Sequence, residues 1–468
     1  MSQITICSLC GHENSAEVNF CSKCRARLNR NQLEETTNEK SSWYAKLADY
    51  NFSVVRTRSS SFVILAFLAL IFLWQCTPLS EIFEETLVPT TSMELVPDDN
   101  TSWGAFGKNA SGSSYTQDNG TKFAGNISWL YRTTKPLTTV PVISNGYAFL
   151  ASGDNRLIKL DTKSGDVLWS ITLTGPPDSS PALTADSVYI GLKDHRIISI
   201  DRSTGDINWE YTTDNPVFSS PTIKDGKLYI GSADNNLYAL DAHTGKVIWK
   251  YATDSQIYTG IASNDEIVAT ISSDKHLHVV SAMDGQLRLK YRTAFSRGST
   301  LIDDFIIYVS DENGGIRAID WREKHYPFEY TIRNIKLQLF IWGIGAFPEQ
   351  KGLIWSFRQK RDRFTGSMAI DDNNVYGSTS SGKLIALNKH TGQISWTFEP
   401  KIPISSSPSI AGNKILVGDT SGYLHMIDSM SGNLVRSFLV NEGVTSTPIL
   451  VEQTLFVTSN KGTLYAIR

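Results

Sequence analysis

The sequence predicts an all-β fold, an eight-bladed β-propeller preceded by a small zinc ribbon and a single transmembrane helix. Three observations carry this. A phrase of the form Leu-Tyr-Ala-Leu-Asp, then Thr-Gly, then Trp returns in imperfect copies along residues 127–468, clearest at Leu237–Asp241, Thr244-Gly245 and Trp249. Two CxxC pairs open the chain, and an uncharged stretch of 22 residues, 59–80, lies between them and the repeats.

The first pair is Cys7-Ser8-Leu9-Cys10 and the second Cys21-Ser22-Lys23-Cys24, ten residues apart. Each CxxC forms a tight knuckle with two thiolates on one side of a Zn²⁺. Two knuckles complete a closed tetrahedral S₄ site with no open position. The text around them, with Gly11, Asn14, Phe20 and Leu28, resembles the short zinc ribbons that open many prokaryotic membrane proteins. Arg25 stands where such ribbons carry Gly after the fourth Cys. The alternative, redox CxxC chemistry, has no thioredoxin-like βαβ context here. Residues 1–30 are thus expected to form a ribbon whose structural zinc binding and folding are one event.

Residues 31–58 are polar and mixed in charge, a cytosolic linker. The stretch 59–80, with Phe62 to Trp74 almost wholly apolar, is long enough at about 1.5 Å per residue to span a hydrocarbon core. Lys46, Arg56 and Arg58 precede it, Glu81, Glu84, Glu85, Glu94, Asp98 and Asp99 follow it, and the next basic residue is Lys108. The positive-inside rule puts the N-terminus in the cytoplasm and the repeats outside, the same side assignment that a reduced Cys₄ site requires. Leu73-Trp74-Gln75-Cys76 faintly resembles a lipoprotein processing site, but Trp and Gln are too large for it and cleavage would discard the ribbon. Residues 81–126, acidic and then Gly-, Ser- and Asn-rich, suit an extracytoplasmic tether, with Trp103 and Phe106 anchoring its end to the propeller. Asn100, Asn109, Asn119 and Asn126 match the glycosylation acceptor pattern.

The last strand of each repeat ends at Asp161, Asp201, Asp241, Ser281, Asp320, Asn388, Asp428 and Arg468. Six of the seven intervals are 39 or 40 residues, and Asp320 to Asn388 is 68. The excess is too short for another blade of about 40 residues, so the count is eight, with an insertion at 321–354. Residues 127–132 then close the ring as the outer strand of the blade formed by 446–468, which leaves no open edge. In Asp241-Ala242-His243-Thr244-Gly245 the carboxylate is placed to accept turn N–H groups and Gly to take φ > 0. Each Trp follows its Gly by four residues and wedges between blades; Leu289 and Arg436 replace it in two units, the expected weaker seams.

These Trp, Gly and Asp positions resemble the blade signature of the pyrroloquinoline-quinone-type repeat family, the propellers of quinoprotein dehydrogenases and of BamB-like outer-membrane assembly lipoproteins. The resemblance covers about residues 102–468. It implies either a non-catalytic envelope scaffold or, as the alternative, a dehydrogenase with quinone and calcium in its central channel. The dehydrogenases carry an adjacent cysteine pair, and this chain has no cysteine after Cys76. Asp194, Asp234, Asp274, Asp311 and Asp419 fall in loops between second and third strands, where Asp beside Gly or Asn caps turns. His276 and His278 alternate on one strand and read as a solvated face. No nucleophile elbow, phosphate loop or HExxH is present.

The net charge of −3 without a basic block gives no sign of nucleic-acid binding. The insertion holds Leu337 to Phe347, a run with Gln338 as its single polar residue and too short to span a bilayer. It reads either as a flap packed on the propeller or as an exposed patch for a partner or a bilayer surface. Because it enters an outer strand, as the tether does at 127, it belongs on the membrane-proximal face, with Arg333, Lys336, Lys351, Arg358, Lys360, Arg361 and Arg363 nearby. The expected protein is a single-pass membrane scaffold, not an enzyme, with an envelope protein or glycan as partner. Signal transmission from an outer ligand to the inner ribbon is a third reading.

Overall fold

The computed structural model describes residues 4–6, 13–15 and 102–468, except 118–123, 138, 297, 324–328, 347, 349, 360 and 361. Near the N-terminus, Ile4–Ile6 pairs antiparallel with Glu13–Ser15. The four ribbon cysteines, the linker and the stretch 59–80 lie outside the described residues. Among the described residues no helix is long and apolar enough to cross a membrane.

Eight antiparallel sheets follow one another along the chain from 127 to 467. Blade 2 shows the pattern: Ala182–Leu183, Ser187–Gly191, Arg196–Asp201 and Ile207–Thr212, each strand pairing with the next. Blades 1 to 7 run from inner to outer strand in sequence order. Blade 8 is assembled from both ends, with Ile127–Arg132 pairing with Thr463–Ile467 in the register Thr463↔Arg132 to Ile467↔Ile127. Asn126 and Arg468 exchange backbone bonds of 2.8 Å beyond that register. The predicted closure is the observed one, and it removes the free edges an open array would expose.

The turns joining first to second and third to fourth strands lie on one face, here the near face. The loops joining second to third strands, and one blade to the next, lie on the far face. On the near face Asp201 Oδ1 accepts the N–H groups of Ser203 and Thr204, both at 2.8 Å. Gly245 closes the equivalent turn of blade 3 with φ +72°, and a Cβ there would stand 2.6 Å from the Trp209 ring. That Gly is therefore required twice, by its backbone and by the ring packed on it.

The ring belongs to the blade before. Trp129, Trp169, Trp209, Trp249, Trp355 and Trp396 each donate Nε1–H to a carbonyl of the following blade: Thr162, Arg202, Ala242, Ala282, Lys389 and Ser429. Each Trp also meets an aromatic on the second strand of its own blade, as Tyr189 meets Trp209 with centroids 5.9 Å apart. The two rings touch across a small third-strand residue, Ser199 in the register Tyr189↔Ser199↔Trp209. In blades 4 and 7 both partners are missing together. There the same register reads Ala269↔Val279↔Leu289 and Leu416↔Met426↔Arg436. Leu289 is buried in one cluster with Trp321, while Arg436 donates to Ala124 O at 2.6 Å.

The insertion contains a helix, Glu329–Ile341, on the near face. Arg358 pairs with Gly315 at the opposite end of its blade, so Arg358 and Arg363 belong to the far face. Of the described basic residues grouped with the insertion, Arg333, Lys336 and Lys351 share its face.

Candidate functional site

The blades surround a central channel, and its near-face mouth is filled by residues 102–116. Ser102-Trp103 adds a strand inside blade 1, with Ser102↔Ser144 and Trp103↔Ile143, and Tyr115-Thr116 adds one parallel to Ser409–Ala411 in blade 7. Between them the chain passes from blade to blade. Leu183 N–H donates to Gly104 O, Ser263 N–H to Ala110 O, Ile302 N–H to Ser111 O and Ile370 N–H to Ser113 O, all within 2.8–3.1 Å. These inner-strand donors are thereby paired within the chain.

This plug lies in the Gly-, Ser- and Asn-rich stretch that composition assigns to a tether, and the structure gives the composition a second reason. Gly107 and Gly112 adopt φ of +75° and +76°, and a Cβ on Gly107 would stand 2.9 Å from Gly112 Cα. The Asn109 amide oxygen accepts from Ser111 Oγ and the Ser113 N–H, and its nitrogen donates to Ser113 Oγ. Trp103 is fully buried among Leu137, Val140, Ile143 and Phe456, with Phe106 against the same cluster. Both aromatics anchor the segment, as their positions in the sequence suggest.

Two cavities flank the plug. On the near face, about 590 Å³ lies between residues 104–111 and the turns of blades 2–5. Its charges are largely paired: Lys224 with Asp265 at 2.7 Å, and Asp303 with Lys389 at 2.9 Å. On the far face, about 420 Å³ is floored by Phe106, Leu137 and Val140 and rimmed by Ser407, Thr445, Thr447 and Asn460. The Ser-Ser-Pro phrase that starts the inner strands builds this channel. Its first Ser ties the inner strand to the second, as Ser179 Oγ donates to Gly191 O at 3.0 Å. Its second Ser ties blade to blade, with Val140 N–H donating to Ser180 Oγ and Ser180 N–H to Ser220 Oγ.

The far-face aspartates do not converge on the channel; each is held within its own loop. Asp234 accepts from Tyr238 Oη at 2.6 Å and from the Asn236 N–H, Asp311 accepts two loop N–H groups and pairs with Arg317, and Asp194 pairs with Arg196 at 3.2 Å. Asp419 accepts from the Ser421 and Tyr423 N–H groups and faces His425 Nε2 at 3.2 Å. His425 Nδ1 lies 2.9 Å from Ser437 Oγ, an arrangement that superficially resembles a nucleophile, base and acid. The same register position carries Tyr238, His278 and Arg317 in other blades, each bound to its loop carboxylate, so the pattern is a structural staple. His278 is fully buried rather than solvated, with Nε2 2.9 Å from Asp274 and Nδ1 3.0 Å from Tyr251 Oη. Burial would raise the Asp274 pKa, but hydrogen bonds from His276 and His278 and the His278 charge outweigh it and hold the carboxyl well below its ordinary range. Burial and the charges of Asp274 and Asp254 push Tyr251 up to about 12.

A calcium-bound pyrroloquinoline quinone does not fit the far-face cavity. The quinone is a polycarboxylate and needs cationic partners, while Ca²⁺ takes about 6–8 oxygens that include carboxylates. The cavity supplies hydroxyls, one amide and apolar side chains.

The sequence profile of a family described as outer membrane protein assembly factor BamB matches residues 120–183, 172–334 and 344–468. BamB of Legionella pneumophila is 31% identical over 123 residues, 26% of this chain and 31% of that protein. BamB of Escherichia coli is 28% identical over 100 residues, 21% of this chain and 26% of that protein. These matches span under a third of each relative's length. The crystal structure of BamB from Moraxella catarrhalis superposes with a TM-score of 0.59 at 15% identity, covering 73% of this chain and 99% of that one. The quinohemoprotein alcohol dehydrogenase of Comamonas testosteroni superposes at 0.60 and 13% identity, covering 78% and 80%. The two structural likenesses speak for the fold alone. With its profile matched over nearly all of the propeller, the chain belongs to the family described as outer membrane protein assembly factor BamB.

Proposed function

We propose that the protein is a membrane-anchored, non-catalytic binding scaffold of the cell envelope, its propeller outside the cytoplasm. The family match carries this reading, and the channel supports it. The near-face mouth is plugged by the chain itself, and the far-face cavity lacks the donor set for a quinone and calcium. A rim of hydroxyl and amide groups over an apolar floor suits an extended protein segment or a glycan, docked at the far face.

The membrane and metal parts rest on the sequence. The stretch 59–80 spans the bilayer with the N-terminus inside. Cys7, Cys10, Cys21 and Cys24 hold a structural zinc, a reading that their CxxC spacing supports. A photo-crosslinking residue introduced at Lys135 or at Thr445 in the full chain, in its own membranes, tests the docking face. Adducts with an envelope protein or glycan are expected from both positions. Absence of adducts from both, with adducts from near-face positions instead, overturns the far-face assignment.

A further inference from the structure

The helix Glu329–Ile341 and the turn after it are the one large feature of the described propeller that the scaffold reading leaves unused. The helix ends in a Schellman arrangement. Ile344 N–H donates to Leu339 O at 2.8 Å and Gly343 N–H to Phe340 O at 2.9 Å, with Gly343 at φ +78°. The tip is therefore an ordered structure, and it is apolar. Ile341 is 63% exposed, Trp342 72% and Ile344 57%, and Ile332 and Ile335 on the helix are more than half exposed. A Cβ on Gly343 or Gly345 would meet nothing within 4 Å, so the tip projects away from the blades. The packed flap that the sequence allows is not what forms. Arg333 Nε reaches Pro348 O at 3.4 Å and ties the returning chain to the helix.

We propose that this segment is a lipid-docking knob that seats on an anionic bilayer surface. Three features favour lipid over a protein groove. The apolar side chains are not confined to one stripe, as a groove-binding helix requires, but crowd towards the tip. No acidic residue occurs between Thr331 and Pro348, while Arg333 and Lys336 are placed to meet anionic headgroups. Trp342 leads the tip, and Trp is the residue that settles at the headgroup boundary. The knob also stands on the near face, where residues 102 and 127 bring the N-terminal chain into the propeller. The inference rests on the scaffold reading only for the bilayer's being at hand.

The test uses the full chain reconstituted in vesicles containing a photoactivatable phosphatidylglycerol or, in parallel, a photoactivatable phosphatidylcholine. Labelled peptides are located by mass spectrometry, and segment 59–80 reports separately on the membrane span. Adducts on the peptides covering 334–348 are expected, more with phosphatidylglycerol. They should fall about tenfold in the I341S/W342S/I344S variant, whose substitutions touch only exposed side chains. Labelling of 334–348 without 59–80 keeps the knob and overturns the span. Labelling of 59–80 alone overturns the knob, as do equal labelling of wild type and variant or crosslinks from this segment to a second copy or another protein.

Discussion

At Asp274 one buried carboxylate accepts the His276 N–H at 2.9 Å and faces His278 Nε2 at the same distance. Its folded pKa is depressed. A depressed carboxylate contributes stability above its unfolded pKa of about 3.9, and that contribution is lost as pH falls through the folded value. Asp274→Ala should therefore cost about 1–3 kcal/mol at pH 7 by leaving buried donors unpaired. The gap to wild type should narrow as pH drops below about 4, read as denaturant midpoints at pH 7 and pH 3. A gap unchanged at pH 3 would mean the carboxylate's charge is irrelevant. The loop position of Asp274 was legible in the sequence as a turn cap. The burial of His278 was not, because alternation along a strand says which residues share a side but not whether a loop folds over that side.

Among the elements, the strands, their ends and the closing pair were legible because five of the repeats, those ending at Asp161, Asp201, Asp241, Asn388 and Asp428, run into Asp/Asn-x-x-Ser/Thr-Gly, whose turn chemistry is local. The paired loss of aromatics in blades 4 and 7 needed the register, since Ala269 and Leu289 are 20 residues apart in sequence and joined only across Val279. The plug was hidden for a different reason. Gly, Ser and Asn serve a solvated tether and a tight channel mouth equally well, and only Trp103 and Phe106 signalled attachment. Trp103→Ala removes the fully buried anchor and should destabilise the protein by about 3–5 kcal/mol. It should also speed tryptic cutting after Lys108, a buried residue of the plug, under conditions where the rest of the propeller survives. An unchanged cleavage rate at Lys108 would show that the backbone bonds to Leu183, Ser263, Ile302 and Ile370 hold the segment without its anchor.

At the scale of the whole molecule, the propeller is a ring of repeats sealed by its own ends and stoppered by its own chain. The two faces then differ. The near face carries the incoming chain, the plug and the projecting helix, and the far face carries the open cavity and the loops with their internally satisfied carboxylates. The family's shared fold serves both scaffolds and quinone enzymes, so the channel decides between them. The direct measurement is calorimetric titration of the full chain with pyrroloquinoline quinone and Ca²⁺, followed in parallel by quinone absorbance. The account predicts heats of dilution only and an unshifted spectrum. A one-to-one complex with a shifted quinone band would contradict it and make the channel a catalytic site.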